Sequence, residues 1–192
     1  MMGKYLEIKW QGRPGQGVVT AAAILAEVLA QEGKYVQAFP EYIAQKRRPS
    51  ILAFNRLSES PIKTHAEVEN ADIVVLLDVR LLLSTDVKKN AREDATYMIN
   101  TSYNPDFIKE KLNLSDKNKV FTLDADTITN EELGRAIPNI PLMTIVLNTV
   151  NLIPMENYRK GLTKALSLKF DPELAEANAA TIERALNEVK HL

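Results

Sequence analysis

Cysteine is absent from all 192 residues. Its absence excludes disulfides, cysteine-ligated zinc, thiolate-held iron–sulfur clusters and a cysteine nucleophile. Histidine is nearly as scarce. His65 and His191 are the whole supply, too few for most other metal centres or catalytic triads. Neither sign of charge prevails, with 24 basic side chains against 25 acidic ones. A nucleic-acid binder that relies on an overall basic field is therefore disfavoured. Long hydrophobic runs are missing as well. The most apolar stretch, 140–154, falls short of a membrane span and carries Thr144, Asn148, Thr149 and Asn151. The opening Met-Met-Gly-Lys-Tyr-Leu-Glu has no apolar core of signal-peptide type. A soluble cytoplasmic protein is expected, with no membrane and no nucleic-acid partner.

What is present is ordinary for a globular chain: 45% hydrophobic and 26% charged residues. A chain of this length buries about 70% of the surface its unfolded form exposes, so it needs no covalent or metal staple. One domain over 1–192 is expected. Its α/β core covers about 1–140 and a helical part about 141–192.

Residues 4–10 read as a half-buried strand, because Leu6, Ile8 and Trp10 alternate with Glu7 and Lys9. A glycine-rich turn follows at 11–17, and then an alanine-rich helix at 18–32 stopped by Gly33. This order opens a βαβ unit. Further strands are predicted at 35–39, 51–57, 72–77, 96–100 and 119–123. The run at 72–77 is continuously apolar, the mark of a strand covered on both faces. Residues 42–49 read as a polar, basic loop, while 81–91 and 106–112 read as helical. Thr129 stands three residues before Glu132, which predicts a capped helix over 129–135. Beyond Pro141 no strand signal occurs, and helices are predicted at 142–152, 155–168 and 172–189.

The motif Gly12-x-x-Gly15-x-Gly17 joins the first strand to the first helix. Glycines there allow a sharp turn and bare amides, and the helix start adds the positive end of its dipole. Phosphate suits such a place. The spacing is neither the dinucleotide Gly-x-Gly-x-x-Gly nor a Walker loop, since no lysine follows the last glycine. Phosphate cradle and tight packing turn both stay open at this point. Glu41 ends the second strand, where a dinucleotide fold would hold a ribose hydroxyl, though a solvated strand-end acid is the favoured reading. Lys46, Arg47 and Arg48 suit a phosphate monoester, or are simply solvated. His65 lies in a polar stretch and reads as a surface residue, and Asp78 and Asp86 as acids at a strand end and in a helical region. No paired carboxylates or activated nucleophile can be nominated as catalytic.

The segments Ile8-Lys9-Trp10-Gln11-Gly12-Arg13-Pro14-Gly15-Gln16-Gly17-Val18, Gly33-Lys34-Tyr35-Val36-Gln37-Ala38-Phe39-Pro40-Glu41-Tyr42 and Ala53-Phe54-Asn55-Arg56-Leu57-Ser58 carry a family likeness. They resemble the gamma subunit of 2-oxoacid:ferredoxin oxidoreductases, most closely its pyruvate branch. The likeness continues through 72–78, Pro141-Leu142-Met143 and Asn178. It implies a three-layer α/β/α sandwich around a mixed, mainly parallel sheet, with a C-terminal helical layer. It also implies a non-autonomous subunit of a complex that converts pyruvate and coenzyme A to acetyl-CoA and carbon dioxide while reducing ferredoxin. Thiamine diphosphate, magnesium and iron–sulfur clusters would belong to alpha, beta and delta-type partner subunits. Coenzyme A would be bound partly here, by Gly12, Gly15, Gln16 and Gly17 with Arg47. Two departures from the family pattern stand out. Pro14 replaces a glycine, and Arg48-Pro49-Ser50 occupies the place of Gly-Ala-Pro.

Overall fold

The structure is a computed structural model that describes residues 5–41, 50–83, 86–168 and 172–192. Among these, β1 (Leu6–Gly12), β2 (Tyr35–Glu41), β3 (Ile51–Ser58), β4 (Ala71–Leu76), β5 (Ala91–Asn100), β6 (Val120–Leu123) and β7 (Lys190–His191) form one sheet. Its order is β2-β3-β1-β4-β5-β6-β7. The neighbours β1, β4, β5 and β6 run parallel. Both margins are antiparallel, with β3 pairing β1 and β2 on one side and β7 pairing β6 on the other. The βαβ unit forms with an insertion: β2 runs parallel to β1, but β3 lies between them.

Helices α1 (Val18–Gln31), α3 (Ala125–Leu133), α4 (Asn139–Val150), α5 (Met155–Ser167) and α6 (Pro172–Glu188) build one layer over the sheet. The other face is covered by a 3₁₀ turn (Val79–Leu83), by α2 (Pro105–Lys111) and by the stretch around Val68. Alternation in β1 decides which side chain meets which layer. Ile8 and Trp10 enter the helical core, while Lys9 points the other way. Trp10 donates its indole N–H to Asn55 Oδ1 at 2.8 Å, and the Asn55 amide donates to the Ala22 carbonyl at 2.9 Å. β1, β3 and α1 are thereby tied through one buried amide. α4 is buried on every side from Asn139 to Leu147. Its hydroxyl Thr144 reaches the Ile140 carbonyl at 3.0 Å and lies 3.1 Å from the Tyr158 hydroxyl of α5. Tyr158→Phe is expected to lower stability by about 1 kcal/mol, since Thr144 keeps its backbone acceptor; chemical denaturation with an unchanged slope checks this.

Four sequence expectations need correction. The α-helix expected over 81–91 does not occur in its described residues: 81–83 end the 3₁₀ turn, and 87–90 form a turn. Leu81 is buried but Leu83 is exposed, and the Asp86 carboxylate accepts the Lys88 N–H at 3.0 Å to start a turn. Asn90 then takes a left-handed φ of 61°, which asparagine tolerates, and β5 begins at Ala91, well before Thr96. The helix expected at Thr129 starts earlier. Asp124 accepts the Thr127 N–H at 3.1 Å, and Asn100 Oδ1 accepts the Ala125 N–H at 2.9 Å. Thr129 is buried inside α3 and donates to the Ala125 carbonyl at 2.8 Å. Finally, a strand does occur after Pro141. β7 is two residues long, too short for any alternation to show.

Candidate functional site

The connection after β1 runs through α1 on the helical face, and the connection after β4 runs through the 3₁₀ turn on the opposite face. The chain therefore leaves the paired ends of β1 and β4 toward opposite faces, which makes the crevice beyond them a topological switch point, the position where open α/β sheets hold ligands. The glycine loop forms one lip. Gln16 N–H donates to the Arg13 carbonyl at 3.2 Å, and Gly15 takes φ 89° at the third position of that turn. Pro14 in second place and a positive-φ glycine in third are the residues a type II turn requires. Pro14 and Gly15 are exposed, and a side chain built on Gly15 would meet open space. The Gln16 side chain turns back and accepts the Arg13 N–H at 2.7 Å, which closes the loop on itself.

Gly12 and Gly17 serve packing. A Cβ on Gly12 would stand 2.7 Å from Val18 Cγ2 and 3.0 Å from Leu77 Cβ. One on Gly17 would stand 2.5 Å from Asn139 Nδ2, and its φ is 78°. Gly17 is the N-cap of α1, with no side-chain cap and no acid in the first turn. Val19 and Thr20 on that turn are exposed.

The other lip ends in Asp78, whose side chain is only 3% exposed. Its carboxylate accepts Arg80 Nε at 2.8 Å and Arg80 Nη2 at 2.6 Å, and pairs with Arg13 Nε at 3.1 Å. Burial alone would push this carboxyl up. The hydrogen bonds from Arg80 and the charges of Arg80 and Arg13 outweigh burial and hold it below the ordinary aspartate range. Asn100, ending β5, donates to the Leu77 carbonyl at 3.0 Å and braces the same edge.

Gly12, Gly15, Gln16 and Gly17 lie in this one loop, and Arg13, Asp78 and Arg80 stand beside it. Their signal was available: an arginine inside the glycine motif, and a second one two residues after the acid that ends an apolar strand. Arg47 lies outside the described residues, as do Lys46 and Arg48. The ends of that segment adjoin the same sheet edge, since Glu41 pairs with Leu52 and Ser50 Oγ accepts from Gln11 Nε2 at 3.4 Å. Glu41 is not in a ribose position, because β3 separates its strand from β1. His65 is exposed.

Among the described residues no cluster of metal-ligating side chains occurs, and no helix is long and apolar enough to cross a membrane. A hollow of about 560 Å³ lies at the opposite end of the sheet, lined by Glu7, Asp72, Arg92, Asp94 and Lys117 among others. Arg92 is shared there by Asp72 at 3.0 Å and Asp94 at 2.9 Å, so its charge is answered within the protein.

Residues 7–188 match the family described as pyruvate ferredoxin/flavodoxin oxidoreductase. The chain is 37% identical over 187 residues to the pyruvate synthase subunit PorC of Thermotoga maritima, covering 97% of this chain and 96% of that one. It is also 37% identical over 185 residues to the common gamma subunit of pyruvate/ketoisovalerate oxidoreductases from Pyrococcus abyssi, covering 96% and 97%. The crystal structure of the Thermotoga maritima pyruvate oxidoreductase subunit superposes with a TM-score of 0.81 at 35% identity, over 98% of this chain and 99% of that one. A fold likeness extends to the 2-oxoglutarate:ferredoxin oxidoreductase of Magnetococcus marinus, solved with 2-oxoglutarate, coenzyme A and succinyl-CoA. That match has a TM-score of 0.74 at 14% identity and covers 97% of this chain and 31% of that one.

Proposed function

This chain belongs to the pyruvate ferredoxin/flavodoxin oxidoreductase family as a gamma subunit of the multi-subunit enzyme, and from that premise we propose that its glycine loop supplies a coenzyme A-binding surface to the complex. Gly15 opens the loop, Gln16 holds it closed on itself, and Gly12 and Gly17 let it sit tightly against β4 and α4. Arg47 adds a cation for a phosphate group. The partners are alpha, beta and delta-type subunits that carry thiamine diphosphate with magnesium and the iron–sulfur clusters, and ferredoxin takes the electrons. The complex works in the cytoplasm on pyruvate. Thiamine diphosphate would supply the carbanion chemistry of decarboxylation on those partners. The part of this chain is to position the acceptor thiol by holding the phosphate end of its carrier.

One observation supports this reading above the rest. The loop tip is exposed at the crevice between β1 and β4, beside a helix start that no side chain caps. Calorimetric titration of the assembled complex with coenzyme A tests it. Gln16→Ala and Arg47→Ala are each expected to weaken binding about tenfold, equivalent to about 1.4 kcal/mol. Unchanged affinity in both variants would remove the site.

A ligand-free scaffold is favoured by one feature, the close packing of Gly12 against Val18 and of Gly17 against Asn139. It predicts that coenzyme A perturbs no signal from this chain in the assembly.

A further inference from the structure

We infer that Arg13 and Arg80, held side by side by the buried Asp78 carboxylate, form a clamp for the diphosphate group of the ligand at the glycine loop; the inference rests on the coenzyme A reading above. The clamp joins two guanidinium groups to one buried carboxylate. Asp78 Oδ2 is shared by Arg80 Nη2 at 2.6 Å and Arg13 Nε at 3.1 Å. The two guanidinium charges are opposed by Asp78 and, through space at Arg80, by Asp126. The arrangement gathers two cations on one buried anion beside the glycine loop. A ligand with two or more negative charges would complete it.

The geometry leaves the arginines ready for such a ligand. Arg80 donates Nε and one terminal nitrogen to Asp78, while Arg13 Nε lies 3.1 Å from the same carboxylate as an ion pair without a hydrogen bond. Among the described residues no protein acceptor takes the terminal nitrogens of Arg13. The Arg80 side chain is 67% exposed and that of Arg13 39%, against 3% for Asp78. A buried anchor beneath exposed forks fixes side chains that would otherwise be mobile, and planar forks suit phosphate oxygens. Arg13 also belongs to the glycine loop itself, with its N–H held by Gln16. Asp126, at the start of α3, is the further acid that acts on Arg80. It is not hydrogen-bonded to either arginine, whereas Asp78 holds both.

Asp78 is a positioning residue here, so its test needs a readout that a purely structural role would not move. The experiment compares coenzyme A, dephospho-coenzyme A and pantetheine as acceptors for the assembled enzyme, with inorganic pyrophosphate as competitor. Arg13→Gln, Arg80→Gln and Asp78→Asn are each expected to raise the KM for coenzyme A and for dephospho-coenzyme A at least tenfold. The KM for pantetheine and the kcat at saturating coenzyme A should stay within twofold. Pyrophosphate should compete with coenzyme A in the wild type and lose that competition in the arginine variants. Arg80→Lys keeps the charge but not the fork, and should recover only part of the loss. If the effect is present with coenzyme A and absent with dephospho-coenzyme A, a phosphomonoester occupies the place and the diphosphate assignment is overturned. If the variants leave coenzyme A unaffected while Gln16→Ala weakens it, the clamp is wrong and the loop reading survives. If neither set moves it, both fall.

Discussion

Gly17→Ala is expected to lower the stability of this chain by about 2–4 kcal/mol, the sum of two separate penalties. The first is conformational. At φ 78° an alanine sits in the left-handed region, which costs about 1–2 kcal/mol for a residue with a Cβ. The second is steric. The new methyl would stand 2.5 Å from Asn139 Nδ2, closer than any real contact. Asn139 cannot simply swing aside, because it is buried and its Oδ1 accepts the Ile140 N–H at 2.9 Å at the head of α4. Relief has to come from a shift of α1 against α4, which disturbs the core between them. For a domain of this size the change corresponds to a fall of roughly 5–15 °C in Tm. Gly15→Ala is the control: it carries the conformational penalty without the contact, so it should lose about half as much. Equal losses in the two variants would show that packing against Asn139 contributes nothing.

The second large effect concerns Lys9 and is read in its pH dependence. This ammonium is buried, yet it donates to the Val87 carbonyl at 3.0 Å and to the Lys89 carbonyl at 2.7 Å. Burial lowers its pKa to about 8, with Asp86 and Glu41 pulling it back up and Lys89 lowering it further. The unfolded chain keeps the ordinary value near 10.5, so between about 8 and 10.5 it binds more protons than the folded one. Stability therefore rises with pH across that window, and the whole penalty is felt below pH 8. Lys9→Met has no such proton to release. From pH 7 to pH 10.5 the wild type should gain on the order of 2–3 kcal/mol relative to the variant. Tyr97, raised to about 12 mainly by burial, titrates in both proteins and cancels in the difference. Denaturation curves at several pH values measure the gap, and parallel profiles for the two proteins would sink the prediction.

Lys9 also shows where sequence reading stops. Its alternation with Ile8 and Trp10 made it the polar, outward position of a half-buried strand. The alternation was read correctly, but the outward face turned out to be covered. The turn at 86–90 lies over it and offers carbonyls that no pattern announces. The same turn explains the lost helix at 81–91, since leucine spacing fits a helix and a capped turn equally well. Apolar patterning did place the strands of the sheet, apart from β7 and the first residues of β5, and α1, α2, α4, α5 and α6, whether an element buries one face or, like α4, all of them. The glycine loop was legible as a loop, and the structure separates its members: Gly12 and Gly17 fill no space because neighbours do, while Gly15 faces outward. Asp78 was visible as a strand-end acid. That it also meets Arg13 depends on β1 and β4 being neighbours, and strand order is not written in local sequence.

β3 fills the slot between β1 and β2, and this arrangement dictates an order of assembly. The first 41 residues contain two strands of like direction that never bond to each other. Their backbone groups have no mate on that side until 51–58 arrive to join both. β1 meets its remaining neighbour only with β4, at Ala71 and beyond. A growing chain thus has α1 ready early, as a local structure, but nothing to lay it on. The floor beneath the glycine loop closes only when β4 pairs with β1, so it depends on contacts between distant parts of the chain.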